Sequence, residues 1–348
     1  MIKQALATIE HGAVGNHAMG IHAALQNAEI DTAMFAETIR PDFRSLVQDI
    51  GEFASHLQTE DTVLYQFANP SPMADLLYEK PCRLIVNYHN VTPAHYFARW
   101  FPSTAAAISR ARTQLARLSS VASAAIAVSE FNAEELISLG YRNVEVIPPI
   151  FSDTFYQEKQ LIQKDQHIPS WLYVGRIAPH KNIHVLIHAL DIYRRYYDSR
   201  AVLTIVGSCD TPLYGKAVDE LIDKRGLTDA VVFSSGVNLD ALVEYYQSST
   251  VYVSASEHEG FCVPLIEAMA LGLPVIAVNA AAVGDTTGSA AKLVAHPDPF
   301  AIAENVAKLM GDPDEVKKLQ NRGYIRSEKF NPKVTQQAYV DYLSEWLS

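Results

Sequence analysis

Two glutamates, Glu259 and Glu267, stand with seven residues between them in the run Ser254-Ala-Ser-Glu-His-Glu-Gly-Phe-Cys-Val-Pro-Leu-Ile-Glu267. The preceding Val251-Tyr-Val-Ser reads as a buried strand, and Pro264 suits the start of a helix that Gly272 ends. Glu259 is then expected in the loop and Glu267 about one turn into the helix. Both carboxylates would face the helix N-terminus, a natural anion site. Carboxylates there repel phosphate and suit ligand hydroxyls. A cationic counterpart occurs earlier, in Tyr173-Val-Gly-Arg-Ile-Ala-Pro-His-Lys-Asn182. Gly175 permits a sharp turn off a strand, after which Arg176 and Lys181 supply two cations five residues apart. Arginine brings a rigid fork to phosphate oxygens and lysine a compact point charge. The ordinary reading of such a pair is two solvated cations on a loop.

Other positions carry weaker signals. In Glu10-His-Gly-Ala-Val-Gly-Asn-His17, Gly12 and Gly15 would let the backbone approach a ligand, or would make a simple tight turn. No Gly-Lys-Ser/Thr follows, so this is not a Walker loop, and the third glycine of the dinucleotide fingerprint is missing. His89 sits at the tip of an apolar strand in Tyr88-His-Asn-Val-Thr-Pro93, where it serves either structure or function. Ser129 reads as a helix N-cap. The one Asp-x-Asp match, Asp312-Pro-Asp314, reads as a helix start, and no metal is expected. A sugar linked to a nucleoside diphosphate would satisfy the hydroxyl-seeking and phosphate-seeking sets together.

The elements that must position these residues follow from the apolar pattern. Short apolar runs alternate with longer helical stretches, the signature of βαβ units and parallel sheets. Strands are expected at 3–9, 32–36, 62–67, 83–88, 124–128 and 144–147, then at 171–174, 201–206, 231–234, 251–254, 274–278 and 292–294. Gly12, His89, Ser129, Gly175, Gly207 and Glu259 all follow such strands. Ligands of open parallel sheets bind outside the carboxyl ends of the strands. The expected fold class is α/β, with two parallel-sheet domains facing each other across a deep cleft. Their expected extents are 1–150 and 169–331, joined by a polar linker over 151–168 that Pro148-Pro149 introduces. An amphipathic helix over 332–348 would pack back on the first domain.

Composition narrows the function classes. A chain of 348 residues, 49% hydrophobic, is long enough for two cores. Its three cysteines, with no Cys-x-x-Cys pair, argue for a reducing compartment and against structural zinc. No signal peptide is expected at the N-terminus, and the apolar window 262–283 contains Glu267, Gly272 and Pro274, which suits a core helix and strand. A net charge of −11 disfavours nucleic acid as a partner. No acid occurs between Glu79 and Glu130, while Arg99, Arg110, Arg112 and Arg117 fall there. That region reads either as a solvated helix or as a surface meeting an anionic acceptor or a membrane.

The segments Gly-Arg-x4-Lys and Glu-Gly-Phe-x-Val-Pro-Leu-Ile-Glu-Ala-Met-Ala-x-Gly-x-Pro-Val resemble the signature of retaining glycosyltransferases of family 4. Those enzymes have the GT-B fold, with two Rossmann-like domains. Gly12-Ala-Val-Gly-Asn-His17 resembles the family's N-terminal Gly-Gly-Val-Gly-x-His loop, and the resemblance covers nearly the whole chain. It implies transfer of a hexose from a UDP- or GDP-sugar to a hydroxyl of a glycan or lipid-linked acceptor in cell-surface polysaccharide assembly. The nucleotide sugar is a co-substrate, and no cofactor is implied. The setting implied is the cytoplasm, at or near the inner face of the membrane.

By position, Glu267 would hold the ribose hydroxyls and Glu259 the donor sugar, while Arg176 and Lys181 would bind the diphosphate. His89 would lie near the transferred sugar, and Gly15 and Asn16 near the phosphates or acceptor. Gly260, Phe261, Cys262 and Val263 would line the donor site, with Gly236 and Val237 at the base. Three departures stand out: Ala13 and Cys262 replace glycines, and Asp285 replaces a glutamate. The competing readings are a nucleotide-sugar epimerase of the same fold and a non-catalytic nucleotide-sugar-binding protein.

Overall fold

The computed structural model describes residues 1–157 and 168–347. The chain divides into two compact units, one formed by Met1–His95, Pro102–Ser152 and Phe330–Ser348, the other by Tyr96–Phe101 and Asp153–Lys329.

The first unit is built on β1 (Ile2–Ile9), β2 (Thr32–Ile39), β3 (Val47–Asp49), β4 (Thr62–Phe67), β5 (Arg83–Tyr88), β6 (Ala124–Ala127) and β7 (Val144–Val146). They pair in the order β3-β2-β1-β4-β5-β6-β7, every pair parallel. β4 is buried at every residue, as a strand covered by helices on both faces must be. Helix Pro332–Ser344 belongs to this unit. It starts where Asn331 accepts the Lys333 N–H at 3.1 Å, and it buries Tyr339 and Leu343. The Tyr339 hydroxyl donates to the Ile147 carbonyl at 3.2 Å, and its ring meets His17 edge-on at 5.0 Å.

The second unit holds β8 (Ser170–Val174), β9 (Val202–Val206), β10 (Val231–Ser234), β11 (Val251–Ser254), β12 (Val275–Val278) and β13 (Ala291–Val294), in the order β10-β9-β8-β11-β12-β13, again all parallel. Its core gathers around Trp171, Leu186, Leu190 and Ile205. Chain order reverses between β8 and β11. The loops leaving these two neighbours diverge to opposite faces, so a crevice opens at their carboxyl ends.

Each expected strand has an observed counterpart. The strand that sequence reading missed is β3, whose Val-Gln-Asp has a single buried residue and so no apolar run to announce it. Ser129 and Asp312 do cap helices, accepting the N–H of Asn132 at 3.2 Å and of Glu315 at 3.0 Å.

The division of the chain differs from the sequence expectation. Tyr96–Phe101 belongs to the second unit, because Trp100 packs edge-on against Tyr214 at 5.2 Å and Phe97 lies 5.5 Å from His180. The expected linker falls largely on residues 158–167, outside the described residues.

The basic region is also less uniform than its composition. Arg99 sits in the second unit, and Arg110, Arg112 and Arg117 lie on helix Pro102–Leu118 of the first. Arg112 donates to the Val91 carbonyl at 2.5 Å and pairs with Glu135. Arg117 lies 3.3 Å from Asp75 and stacks over Tyr78 at 4.2 Å. Much of the positive charge there is thus neutralised within the unit. Among the described residues no helix is long and apolar enough to cross a membrane.

Candidate functional site

The crevice between β8 and β11 is shaped by glycine. Past β8 the chain keeps bonding to the segment past β9, with Gly175 N–H on Val206 O at 2.9 Å and Ile177 N–H on Ser208 O at 2.8 Å. Gly175 and Gly207 have φ of +150° and +153°. A Cβ at Gly207 would lie 2.1 Å from the Gly175 carbonyl oxygen, a backbone atom with nowhere to go. Gly207→Ala is therefore expected to cost about 2–4 kcal/mol, read as a lower urea midpoint.

The chain then turns through Pro179–Lys181 into Asn182, which adopts a left-handed φ of 52°. The Asn182 side chain donates to Ala255 O at 3.1 Å and to Glu257 Oε2 at 2.8 Å, and the Glu257 N–H returns a bond to His180 O at 2.9 Å. These bonds join the loop after β8 to the loop after β11. As a result Lys181 Nζ stands 2.7 Å from Glu259 Oε1, with the side chains 15% and 9% exposed. Arg176, by contrast, is 62% exposed and lies 3.7 Å from the half-exposed Asp210.

Helix Val263–Ala270 carries Glu267, which is buried and accepts the Tyr246 hydroxyl at 2.6 Å. Burial pushes the Glu267 carboxyl up to about 7, partly opposed by that hydrogen bond. As expected from sequence, Glu259 lies in the loop and Glu267 within the helix, and their surroundings differ. Glu259 faces a cation and Glu267 a phenol, although both lie around the start of one helix.

Cys262 precedes this helix in a left-handed conformation, φ 71°. Such a backbone costs a residue with a Cβ roughly 1–2 kcal/mol and glycine nothing, which explains why glycine suits the position. Burial, and then the nearby Glu259, push its thiol upward. Asp285, on helix Val283–Thr287, is exposed and offers its main-chain oxygen to Arg326. Gly236 (φ +66°) and Val237 follow β10, on the β9 side of β8.

Sequence reading missed three contributors. Tyr246 lies 21 residues before Glu267 with nothing in the sequence to link them. Asn182 follows Lys181 directly, and its left-handed backbone is a known habit of asparagine. His180 is buried and pushed down to about 2, first by burial and then by Lys181 and Arg176, so it stays neutral beside the cations.

Gly260 and the buried Phe261 stand in the loop before helix Val263–Ala270, while Gly15, Asn16 and His89 lie in the first unit. A Cβ on Gly15 would meet the Glu10 carbonyl at 1.9 Å, so only glycine fits there. Asn16 is exposed in the first turn of helix Ala13–Asn27, its N–H on Gly12 O at 2.9 Å. His89 Nε2 lies 2.7 Å from Gln66 Oε1. Gln66 Nε2 donates to Gln4 Oε1 at 3.0 Å, and Gln4 Nε2 to the Ala18 carbonyl at 3.2 Å. A carbonyl can only accept, so the chain of amides has one direction, and Gln66 presents oxygen to His89. His89 Nε2 thus carries the proton and Nδ1 is left as an acceptor. Burial holds His89 down to about 3, so this neutral form persists at ordinary pH.

The chain is 30% identical over 182 residues to a D-inositol 3-phosphate glycosyltransferase of Streptomyces bingchenggensis, covering 50% of this chain and 40% of that protein. It is 27% identical over 164 residues to the O-antigen chain mannosyltransferase RfbU of Salmonella typhimurium, covering 47% and 45%. The chain therefore spans less than half the length of these curated relatives. The crystal structure of Anabaena HepE in complex with UDP-glucose superimposes with a TM-score of 0.74 at 17% identity, over 99% of this chain and all of that one. At that identity the likeness shows the fold, which is GT-B. The family described as glycosyl transferases group 1 matches residues 153–326, half of the chain and nearly all of the second unit, and the chain belongs to it.

Proposed function

We propose that this protein is a retaining glycosyltransferase that moves a hexose from a nucleoside-diphosphate sugar to a hydroxyl of a glycan or lipid-linked glycan. The observation that carries this reading is the buried Lys181–Glu259 pair at the β8/β11 crevice. Without donor the two charges neutralise each other. A diphosphate arriving at the loop competes for Lys181, and the Glu259 oxygens become free to accept sugar hydroxyls. Arg176, exposed on the same loop, supplies the second cation. Glu267 accepts the ribose hydroxyls, with Tyr246 steadying one of its oxygens.

In the transfer step the bond between the anomeric carbon and the diphosphate oxygen breaks while the acceptor oxygen bonds to that carbon on the same face. The acceptor's proton passes to the departing phosphate oxygen, so no protein nucleophile is needed. Lys181, Arg176 and the N-terminus of helix Val263–Ala270 stabilise the charge that leaves. His89, on the first unit, has an acceptor Nδ1 that suits a ligand hydroxyl.

The UDP-glucose held by HepE supports a UDP-hexose donor, while the mannosyltransferase activity named for RfbU supports GDP-mannose and polysaccharide assembly. Incubation with UDP-hexoses and GDP-mannose, followed by mass and NMR analysis, tests the reading. A glycoside of unchanged anomeric configuration is expected. An isomerised donor would assign an epimerase, and absence of any nucleotide binding by calorimetry would refute the donor site.

A further inference from the structure

At the opposite end of β8 and β9 from the candidate donor site, Pro169, Tyr193, Tyr196, Tyr197, Asp198, Arg200 and Met310 line an open hollow of about 440 Å³. That volume lies within the range of small-molecule sites. Tyr196 is 73% exposed and Tyr197 53%, and both side chains line this hollow.

The Tyr197 ring is not a loose ornament of a helix end. Tyr197 packs on Tyr193 with centroids 5.4 Å apart, and Tyr193 packs edge-on against the buried Trp171 at 5.2 Å. An aromatic column thus runs from the core to the surface and fixes the outermost ring. The backbone is tied as well, with the Tyr197 N–H on Tyr193 O at 2.9 Å and the Ala201 N–H on Asp198 O at 3.2 Å. Beside the rings, Arg200 grips Asp198 through two parallel bonds of 3.0 and 2.7 Å, and Asp198 Oδ1 also takes the Arg200 N–H at 2.9 Å. The charged pair is already neutralised, so it is no magnet for an ion. It keeps spare donors and acceptors in a fixed frame.

From this we infer a glycan-binding subsite, in which the apolar face of a pyranose ring stacks on Tyr197 and Tyr196 while neighbouring hydroxyls bond to Arg200 and Asp198. A rigid aromatic plane costs little entropy to order, and a neutral, hydroxyl-rich ligand matches a neutralised ion pair better than a phosphate or a charged peptide would. The inference goes beyond the proposed transfer reaction and does not depend on it. Such a subsite would hold a polymeric glycan on the protein at a distance from the reacting end.

Saturation-transfer NMR on the full chain, with manno-, isomalto- and chitotetraose as probes, tests this directly. We expect transfer to the ring protons of at least one probe. Tyr196→Ala, at a position exposed enough to leave folding untouched, should weaken that binding at least threefold. Tyr196→Ala with Tyr197→Ala should weaken it tenfold or more, and neither variant should change calorimetric binding of UDP or GDP. No transfer from the wild-type protein to any of the three probes overturns the inference. Equal transfer in the double variant does so too, as does stronger binding of a control acidic peptide. Loss of donor turnover with tetraose binding intact would instead count against the proposed function alone.

Discussion

Replacing Lys181 with alanine is expected to lower transfer by about 10²–10³-fold, the usual loss when one preorganised charge is withdrawn from a developing anion. The same change should also destabilise the fold, by about 3–5 kcal/mol, because it strands the Glu259 carboxylate in a site with 9% exposure. The two effects are separable. Lys181→Ala combined with Glu259→Gln removes the uncompensated charge, so the urea midpoint should recover toward wild type while transfer stays low. Recovery of both would mean that Lys181 serves only to neutralise Glu259. Retention of near wild-type transfer in Lys181→Ala would remove it from the diphosphate clamp altogether.

For Glu267 a pH dependence with a definite sign is expected. Its folded carboxyl titrates near 7, against an ordinary value of 4.5. The folded protein therefore holds a proton that the unfolded chain releases more readily. The stabilisation from this proton is fully present below about pH 4.5 and is lost as pH rises through about 7. The gap between those values corresponds to roughly 3 kcal/mol. Glu267→Gln keeps an acceptor for the Tyr246 hydroxyl but cannot ionise. Between pH 5 and 8 the wild-type urea midpoint should fall relative to that of Glu267→Gln, because the buried neutral His89 and His180 raise the stability of both proteins alike over that range.

Nucleotide affinity should move the other way. An ionised carboxylate accepts two ribose hydroxyls where a protonated one accepts less well. UDP or GDP binding by the wild type is thus expected to tighten as pH rises through about 7. Glu267→Gln should bind about tenfold or more weakly at pH 8. A Glu267→Gln variant that binds nucleotide as tightly as wild type at pH 8, measured by calorimetry, would displace Glu267 from the ribose. The opposition between stability and affinity fits a residue held for its ligand at some cost to the fold.

Much of this architecture was legible because parallel strands buried on both faces must be continuous apolar runs. Runs such as Val251-Tyr-Val-Ser and Ala124-Ala-Ile-Ala therefore stood out, whereas β3 did not. Local backbone needs were legible too. Gly175, Gly272 and the capping Ser129 occupy the positions that their conformational habits suggest. The boundary between units was read less well, since the attachment of Tyr96–Phe101 to the second unit depends on Trp100 and Phe97 finding Tyr214 and His180, partners distant in sequence.

The order of strands and helices, the strand ends where chemistry collects, and the charged side chains that stand there are all written locally along the chain. Those properties follow from local steric preference and apolar periodicity, which act over a few residues. Folding in three dimensions is what brings Lys181 to Glu259 across 78 positions of chain, Tyr246 to Glu267, and Arg112 and Arg117 to Glu135 and Asp75. Pairings of this kind depend on which strands become neighbours and on how much water each site excludes. A carboxylate's partner and its proton affinity are properties of that enclosure, and residue identity alone does not contain them.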